Sequence, residues 1–447
     1  MLRRILLMMI VLLTSLPAHA TKTPHRSLGV TSIDTKIDQS ATQIFQPGNL
    51  VVEWNRILLA ILRTPGAQPP TIHPTRSFAI MHAAIYDAVN AIDRTHTPYL
   101  AHVPVASRHA SPAAAVAAAA HRVLIELYPN FKEMLDTHLK ESLAQVPEGL
   151  HKSRGIHIGL MVAERMLALR SNDGASAQPL SFEPGKNPGD YQLTPPNFVQ
   201  PVFTHWSHVT PFTLTQADQF RPSRPPAVTS HTYINAFNEV KNLGFINSTT
   251  RLADQTEIGR FWSAPIQNYW NEIAQTAALE HNLTVAQSAR LFALLNLTLA
   301  DSVIAFYDAK YTYHFWRPVT AIRAADPNLN PETVPDPNWL PLTTTTPPDP
   351  SYPGAHSVIS AGGAAVLNSF FGDDFSFTVR SEVLPGVERS FTSFMGAAEE
   401  AGLSRIYAGV HFRFDHNSGK QLGRNIADYV VDNFLVRRHA EGESDDR

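Results

Sequence analysis

Residues 113 to 120 read AAAVAAAA, and this run sits inside "SPAAAVAAAAHRVLIELY", a segment with apolar residues at three- and four-residue spacing. Side chains this small let a helix approach its neighbours closely, and the spacing puts one apolar face along its length. The same period runs through "VVEWNRILLAIL", "PTRSFAIMHAAIYDAVNAI" and "GIHIGLMVAERMLALR", so residues 50 to 170 predict a set of packed helices. No alternating apolar and polar run is long enough to build a sheet. With 447 residues, 44% of them hydrophobic and only 17% charged, the chain can bury a large core. The expected fold class is all-α, with two helical halves.

Helical patterning stops between 171 and 228. "EPGKNPGDYQLTPPNFVQPVFTHWSHVTPF" is rich in proline, glycine and aromatics and has no period. Tyr191, Phe198, Phe203, Trp206 and Phe212 argue against disorder, so the expectation is an ordered excursion over the helices. Helices resume at 231, most clearly from 284 to 316. A second irregular segment, 326 to 354, precedes helices expected near 355–371, 388–408 and 417–436. The expected organisation is therefore a leader at 1–20, an N-terminal helical region at 21–228, a C-terminal helical domain at 229–436 and a polar tail at 437–447.

The leader, "MLRRILLMMIVLLTSLPAHA", has a basic start at Arg3 and Arg4, an apolar core and a small-x-small site at Ala18-His19-Ala20. That is the pattern of a cleaved export signal, and its apolar run is shorter than the ~20 residues of a span. No later run reads as long enough to cross a bilayer, so stable membrane insertion is not expected after cleavage. The expected address is periplasmic or secreted. With no cysteine, stability there has to come from packing alone. The formal net charge is −3 and no run of Lys or Arg offers a nucleic-acid footprint. An anionic small molecule would have to be held by a few local cations.

Three stretches supply them. In "KYTYHFWRPVTAIR", Lys310 and Arg317 are two helical turns apart, ~10 Å along one face, and Pro318 places Arg317 at the helix end. In "YPGAHSVISAGGAAVL", Gly354 and Ala355 lead into a helix whose first turn holds His356 and Ser357. Its unpaired N–H groups are an oxyanion cradle, and a histidine there can act as acid or base. In "SRIYAGVHFRFD", Arg405 ends a helix, Gly409 breaks it, and His411 follows in the turn. Asp415 can accept the proton of one His411 nitrogen and leave the other free to bond an electrophile. Each stretch alone also reads as a capped or snorkelling helix end. Together they hold three cations, backbone donors and two imidazoles, which suits a tetrahedral oxyanion that becomes five-coordinate. GxSxG, HExxH, Walker and GxGxxG motifs are absent.

The order Lys-x6-Arg-Pro, then Pro-x2-His, then Ser-Arg-x3-Gly-x-His-x3-Asp resembles the signature of the phosphatidic acid phosphatase type 2 and vanadium-dependent haloperoxidase superfamily. Lys310, Arg317, Pro318, Pro353, His356, Ser404, Arg405, Gly409, His411 and Asp415 carry the match. The resemblance implies two four-helix bundles, with the site in the C-terminal one, and vanadate as the expected cofactor. It implies that Lys310, Arg317 and Arg405 bind oxyanion oxygens beside Gly354 and Ala355, and that His356 is the acid/base residue. His411 is then the apical vanadium ligand, or the phosphorylated nucleophile of a phosphatase. One departure is that Gly354-Ala355 stands where the family usually has Ser-Gly, so a hydroxyl donor is missing. The long helical N-terminal half favours a secreted haloperoxidase-like enzyme acting on hydrogen peroxide and halide. A soluble acid phosphatase acting on phosphate esters is the alternative, and a binding protein with little turnover the third reading. The oligomeric state is not legible.

Overall fold

The path of the chain is set by where its helices can start and stop. The computed structural model describes residues 49–100, 107–343 and 345–438. The expected leader at 1–20 and residues 439–447 of the tail lie outside them. Five helices come first: α1 (Leu50–Arg63), α2 (Thr75–Asp93), α3 (Pro112–Leu127), α4 (Lys132–Ala144) and α5 (Leu150–Arg170). The alanine run lies in α3, which starts where Ser111 Oγ accepts from Ala114 N at 3.2 Å, with Pro112 at the first position. Its small face packs against α5 so closely that a Cβ at Gly159 would lie 2.4 Å from the Ala115 carbonyl oxygen.

Past the excursion come α6 (His231–Leu243), α7 (Ala253–Phe261), α8 (Ile266–Glu280), α9 (Val285–Tyr313), α10 (Pro318–Arg323) and α11 (Ala355–Phe371). A hairpin of β1 (Phe377–Arg380) and β2 (Glu388–Phe391) follows, then α12 (Phe394–Tyr407) and α13 (Arg413–Asn433). Among the described residues the fold is all-α apart from that hairpin. The hairpin takes residues 388–391 out of the helix expected from 388, because Phe377 and Val379 alternate into the core while Phe377 pairs with Phe391 and Arg380 with Glu388. The last helix starts at 413, before the expected 417, because the Asp415 side chain accepts from Phe412 N and caps it.

Helices α2 to α5 pack on one another, as do α9 and α11 to α13, and α9 touches both groups through α2 and α11. One core cluster draws residues from both sides of residue 228. Helix α9 is long and apolar enough by composition to cross a membrane, contrary to the expectation that no later run would be. Of its apolar window, 94% is buried inside the fold. The excursion is pinned to α9 by Asp301, a fully buried carboxylate that accepts from the N–H groups of Phe212 (2.6 Å), Thr213 (2.7 Å) and Leu214 (2.9 Å). Its earlier part crosses the end of α9, where Tyr191 N donates to His314 O at 2.6 Å and Trp316 N to Gly189 O at 2.9 Å.

Candidate active site

Lys310 and Arg317 do not share a helix face. α9 ends at Tyr313, with His314 left-handed at φ 49°, and Arg317 is the N-cap of α10. Pro318 pushes its predecessor out of helical geometry and then serves as the first residue of the next helix, so Arg317 sits at φ −84°, ψ 154°. The two cations meet nevertheless, and they meet at Asp349. Arg317 Nη2 donates to Asp349 Oδ1, its Nε donates to the Asp349 carbonyl at 2.8 Å, and Lys310 Nζ lies 3.7 Å from Asp349 Oδ2. Lys310 also donates to the carbonyls of Pro350 and, at 3.2 Å, Ser351. It is fully buried, and burial lowers its pKa against the pull of Asp349.

Arg405, in the last turn of α12, is different. It is buried, yet its Nε and Nη1 have no hydrogen-bond partner. Burial first and the nearby Arg317 second push it down to about 10, which leaves it cationic at neutral pH. A guanidinium in this position is an unmet demand for acceptors.

The chain reverses directly after it. Val410 N and His411 N both donate to Arg405 O, at 3.0 and 3.3 Å, which sets His411 beside the arginine. The turn needs Gly409, whose φ is +81° and whose absent Cβ would lie 2.6 Å from Gly244 O. His411 Nδ1 is 2.9 Å from Asp415 Oδ2, and Arg317 Nη1 is 3.1 Å from His411 Nε2. Arginine can only donate, so Nε2 is the bare nitrogen and Nδ1 carries the hydrogen given to Asp415. Asp415 Oδ2 also accepts from the Ser351 hydroxyl and from Phe412 N (2.9 Å), and its carboxyl is raised by burial. Burial, then Arg317, Lys310 and Arg405, hold His411 neutral, its pKa well below the ordinary value.

Helix α11 closes the site. Gly354, its N-cap, donates from N to Asp415 O at 3.0 Å and so ties this end of α11 to the start of α13. The N–H groups of Ala355, His356 and Ser357 open the helix and have no acceptor within it. His356 is half-buried, and its Nε2 lies 2.9 Å from the Trp262 carbonyl. Nε2 is therefore the donor and Nδ1 the basic nitrogen. Burial lowers its pKa well below normal, followed by the charges of Arg405, Arg317 and Lys310. The same three cations thus act on both imidazoles.

All eight residues singled out in the sequence converge here: Lys310, Arg317, Gly354, Ala355, His356, Arg405, His411 and Asp415. Two neighbouring hydroxyls do other work: Ser357 Oγ pairs with His416 Nδ1 at 2.9 Å and Ser404 Oγ donates to Ala401 O at 2.6 Å. Ser357 therefore does not replace the hydroxyl that Gly354 lacks. Sequence reasoning missed Asp349, Ser351 and the Trp262 carbonyl. Asp349 and Ser351 lie in the irregular 326–354 segment, where the only signal was polar residues in "PPDPSYPG" just ahead of a predicted site helix.

Fold and site define a helical-bundle protein with a buried cationic cradle facing an imidazole. Residues 290–441 match the family described as the VCPO second helical-bundle domain. The vanadium chloroperoxidase of Curvularia inaequalis is 24% identical over 496 aligned residues, covering 84% of this chain and 80% of that protein. A bacterial vanadium-dependent iodoperoxidase superposes with a TM-score of 0.72 at 28% identity, over 87% of this chain and 96% of its own. A holo-type bacterial vanadium-dependent chloroperoxidase has the same fold, with a TM-score of 0.64 at 17% identity over 85% and 97% of the two chains. Together these likenesses support the vanadium haloperoxidase superfamily.

Proposed function

We propose that this protein is a vanadate-dependent haloperoxidase-type oxidoreductase, exported to the periplasm or the medium, that oxidises halide with hydrogen peroxide. The observation that carries the reading is Arg405, a buried guanidinium with two unpartnered nitrogens beside a helix N-terminus and two further cations. Such a set fits a tetrahedral oxyanion. Bound vanadate would supply a Lewis-acidic centre that activates peroxide toward halide. Arg405, Lys310, Arg317 and the first N–H groups of α11 would hold its oxygens. His411 offers the bare Nε2 as ligand, and Asp415 fixes that tautomer by accepting from Nδ1. His356, kept neutral with Nδ1 unprotonated, can take a proton and return it.

A second reading, phosphomonoester hydrolysis with His411 Nε2 as nucleophile, is favoured by one observation. His411 Nδ1 gives its hydrogen to Asp415 Oδ2, which leaves Nε2 unprotonated and able to attack a phosphorus atom. The two are separated by loading the purified protein with orthovanadate and assaying halogenation with peroxide and iodide, bromide or chloride, beside hydrolysis of a chromogenic phosphate ester by the vanadate-free protein. Halogenation that disappears in His411→Ala, with helical content unchanged, supports the first reading. Hydrolysis without halogenation supports the second, and full activity of His411→Ala in either assay removes both. Export is checked by fractionating cells and sequencing the mature N-terminus, which is expected to follow Ala20.

A further inference from the structure

The three cations of the cradle are not equivalent. Arg317 directs Nε to the Asp349 carbonyl, Nη1 to Val410 O and His411 Nε2, and Nη2 to the Asp349 carboxylate. Lys310 directs its donors to the carbonyls of Pro350 and Ser351, with Asp349 Oδ2 at 3.7 Å. Arg405, by contrast, has two nitrogens without an acceptor. Two carboxylates, Asp349 and Asp415, stand against three cations, and Asp349 is the one shared by Lys310 and Arg317. His73 ahead of α2, Tyr191 of the excursion, and Tyr307 and Tyr311 of α9 also feel its charge. None of these four is a cation at neutral pH, since burial depresses His73 to about 3.

We propose that Asp349 is the resident counter-anion of this cradle, and that an incoming oxyanion has to displace it from Lys310 and Arg317. Arg405 and the start of α11 capture the oxyanion first. The two occupied cations engage it only when the Asp349 side chain gives way. The backbone need not move, because Arg317 Nε holds the Asp349 carbonyl independently of the carboxylate. Asp349 thereby sets affinity and selectivity. It lowers the net positive charge of the cradle by one and penalises a more highly charged oxyanion most. The inference rests on the oxyanion-site reading above and adds a competitor to it.

The test is calorimetric titration of the full-length protein with inorganic phosphate and with orthovanadate, at one fixed pH near neutrality. Asp349→Asn keeps the shape and an acceptor for Arg317 but removes the charge. It is expected to bind both anions at least about tenfold more tightly than the parent, as removal of one like charge a few ångströms from the ligand in a buried site implies. Lys310→Ala is expected to cost more affinity in the Asp349→Asn background than in the parent, since there the anion reaches the lysine without first displacing a carboxylate. Asp349→Ser is titrated alongside, and affinities are compared for whichever variant melts like the parent. Unchanged or weaker binding by that variant, while the parent binds and Arg405→Met does not, overturns the role of Asp349 and leaves the oxyanion site standing. Absence of binding in parent and variant alike removes the site reading and this inference with it.

Discussion

Replacing Arg405 by methionine should stabilise the protein while abolishing its affinity for oxyanions. Two estimates give the size. Its unpartnered Nε and Nη1 each carry a desolvation penalty of about 1–3 kcal/mol. Consistently, burial and then Arg317 push the guanidinium down to about 10, which disfavours the charged form by about 3 kcal/mol, at about 1.4 kcal/mol per unit. Methionine keeps the length and much of the apolar contact and brings no buried donor. A net gain of about 2–3 kcal/mol is expected in an anion-free buffer. For a chain of 447 residues the unfolding entropy is about 0.9 kcal/mol/K, so Tm should rise by about 2–3 °C. Orthovanadate at about a thousand times Kd should then stabilise the parent by about 4.1 kcal/mol and leave Arg405→Met unmoved, so that the order of the two melting curves reverses. Scanning calorimetry with and without the anion measures both. An Arg405→Met protein that melts below the parent without anion would show that the guanidinium is structurally satisfied and would refute the reasoning.

Gly409→Ala should destabilise by about 3 kcal/mol or more, since φ is +81° and the new Cβ meets Gly244 O at 2.6 Å and Pro341 Cβ at 2.9 Å; a denaturation midpoint equal to the parent's would contradict this. Gly354→Ser should tighten vanadate binding by up to about tenfold, because φ −73° demands no glycine and the added Cβ sits 3.3 Å from Asp415 O, tight but tolerable. Weaker binding in a variant that melts normally would mean that the hydroxyl crowds Asp415 instead of reaching the anion. His82 is fully buried and held down to about 3, below its unfolded value of 6.5, so the folded state refuses a proton that the unfolded chain accepts. Its contribution is present above pH ~6.5 and lost on acidification, by about 2 kcal/mol at pH 5. Asp87, raised to about 7 by burial, works in the opposite direction, so the check is the difference in urea-derived stability between pH 7 and pH 5 for the parent against His82→Gln. Equal differences would refute it.

The features legible in the sequence are those fixed by forces acting within a few residues. Pro318 excluded helix at Arg317, and Gly409 marked the break before His411. The four-residue step from His411 to Asp415 put an acceptor within reach of Nδ1, at 2.9 Å in the structure. The helix spanning 355 to 371 was readable to the residue, because a proline-glycine entry and a run of small apolar residues define both ends. The hairpin was not, because four-residue strands carry too little alternation and Phe377 and Val379 are held in place only by packing on a distant core.

The same division explains which part of the site escaped notice. The cations and imidazoles stand out by type and spacing, but the acceptors that position them depend on where an irregular segment runs. Residues 326 to 354 have no period from which a path follows, yet that path delivers the Asp349 carboxylate to Arg317, the Pro350 and Ser351 carbonyls to Lys310, and the Ser351 hydroxyl to Asp415. The excursion from 171 to 228 behaves likewise: Asp301 in α9 reads as a polar interruption of an apolar helix until the backbone of Phe212 to Leu214 is brought to it. In both places a buried charge is tolerable only because a loop without secondary structure brings its donors or acceptors to meet it. Among the three cations of the cradle Arg405 is the exception, a buried charge with two nitrogens to which no described segment of the chain brings an acceptor. That exception is the ground for proposing a binding site and not merely a well-packed ion-pair network: the chain satisfies the other two cations of the cradle from its own atoms and not this one.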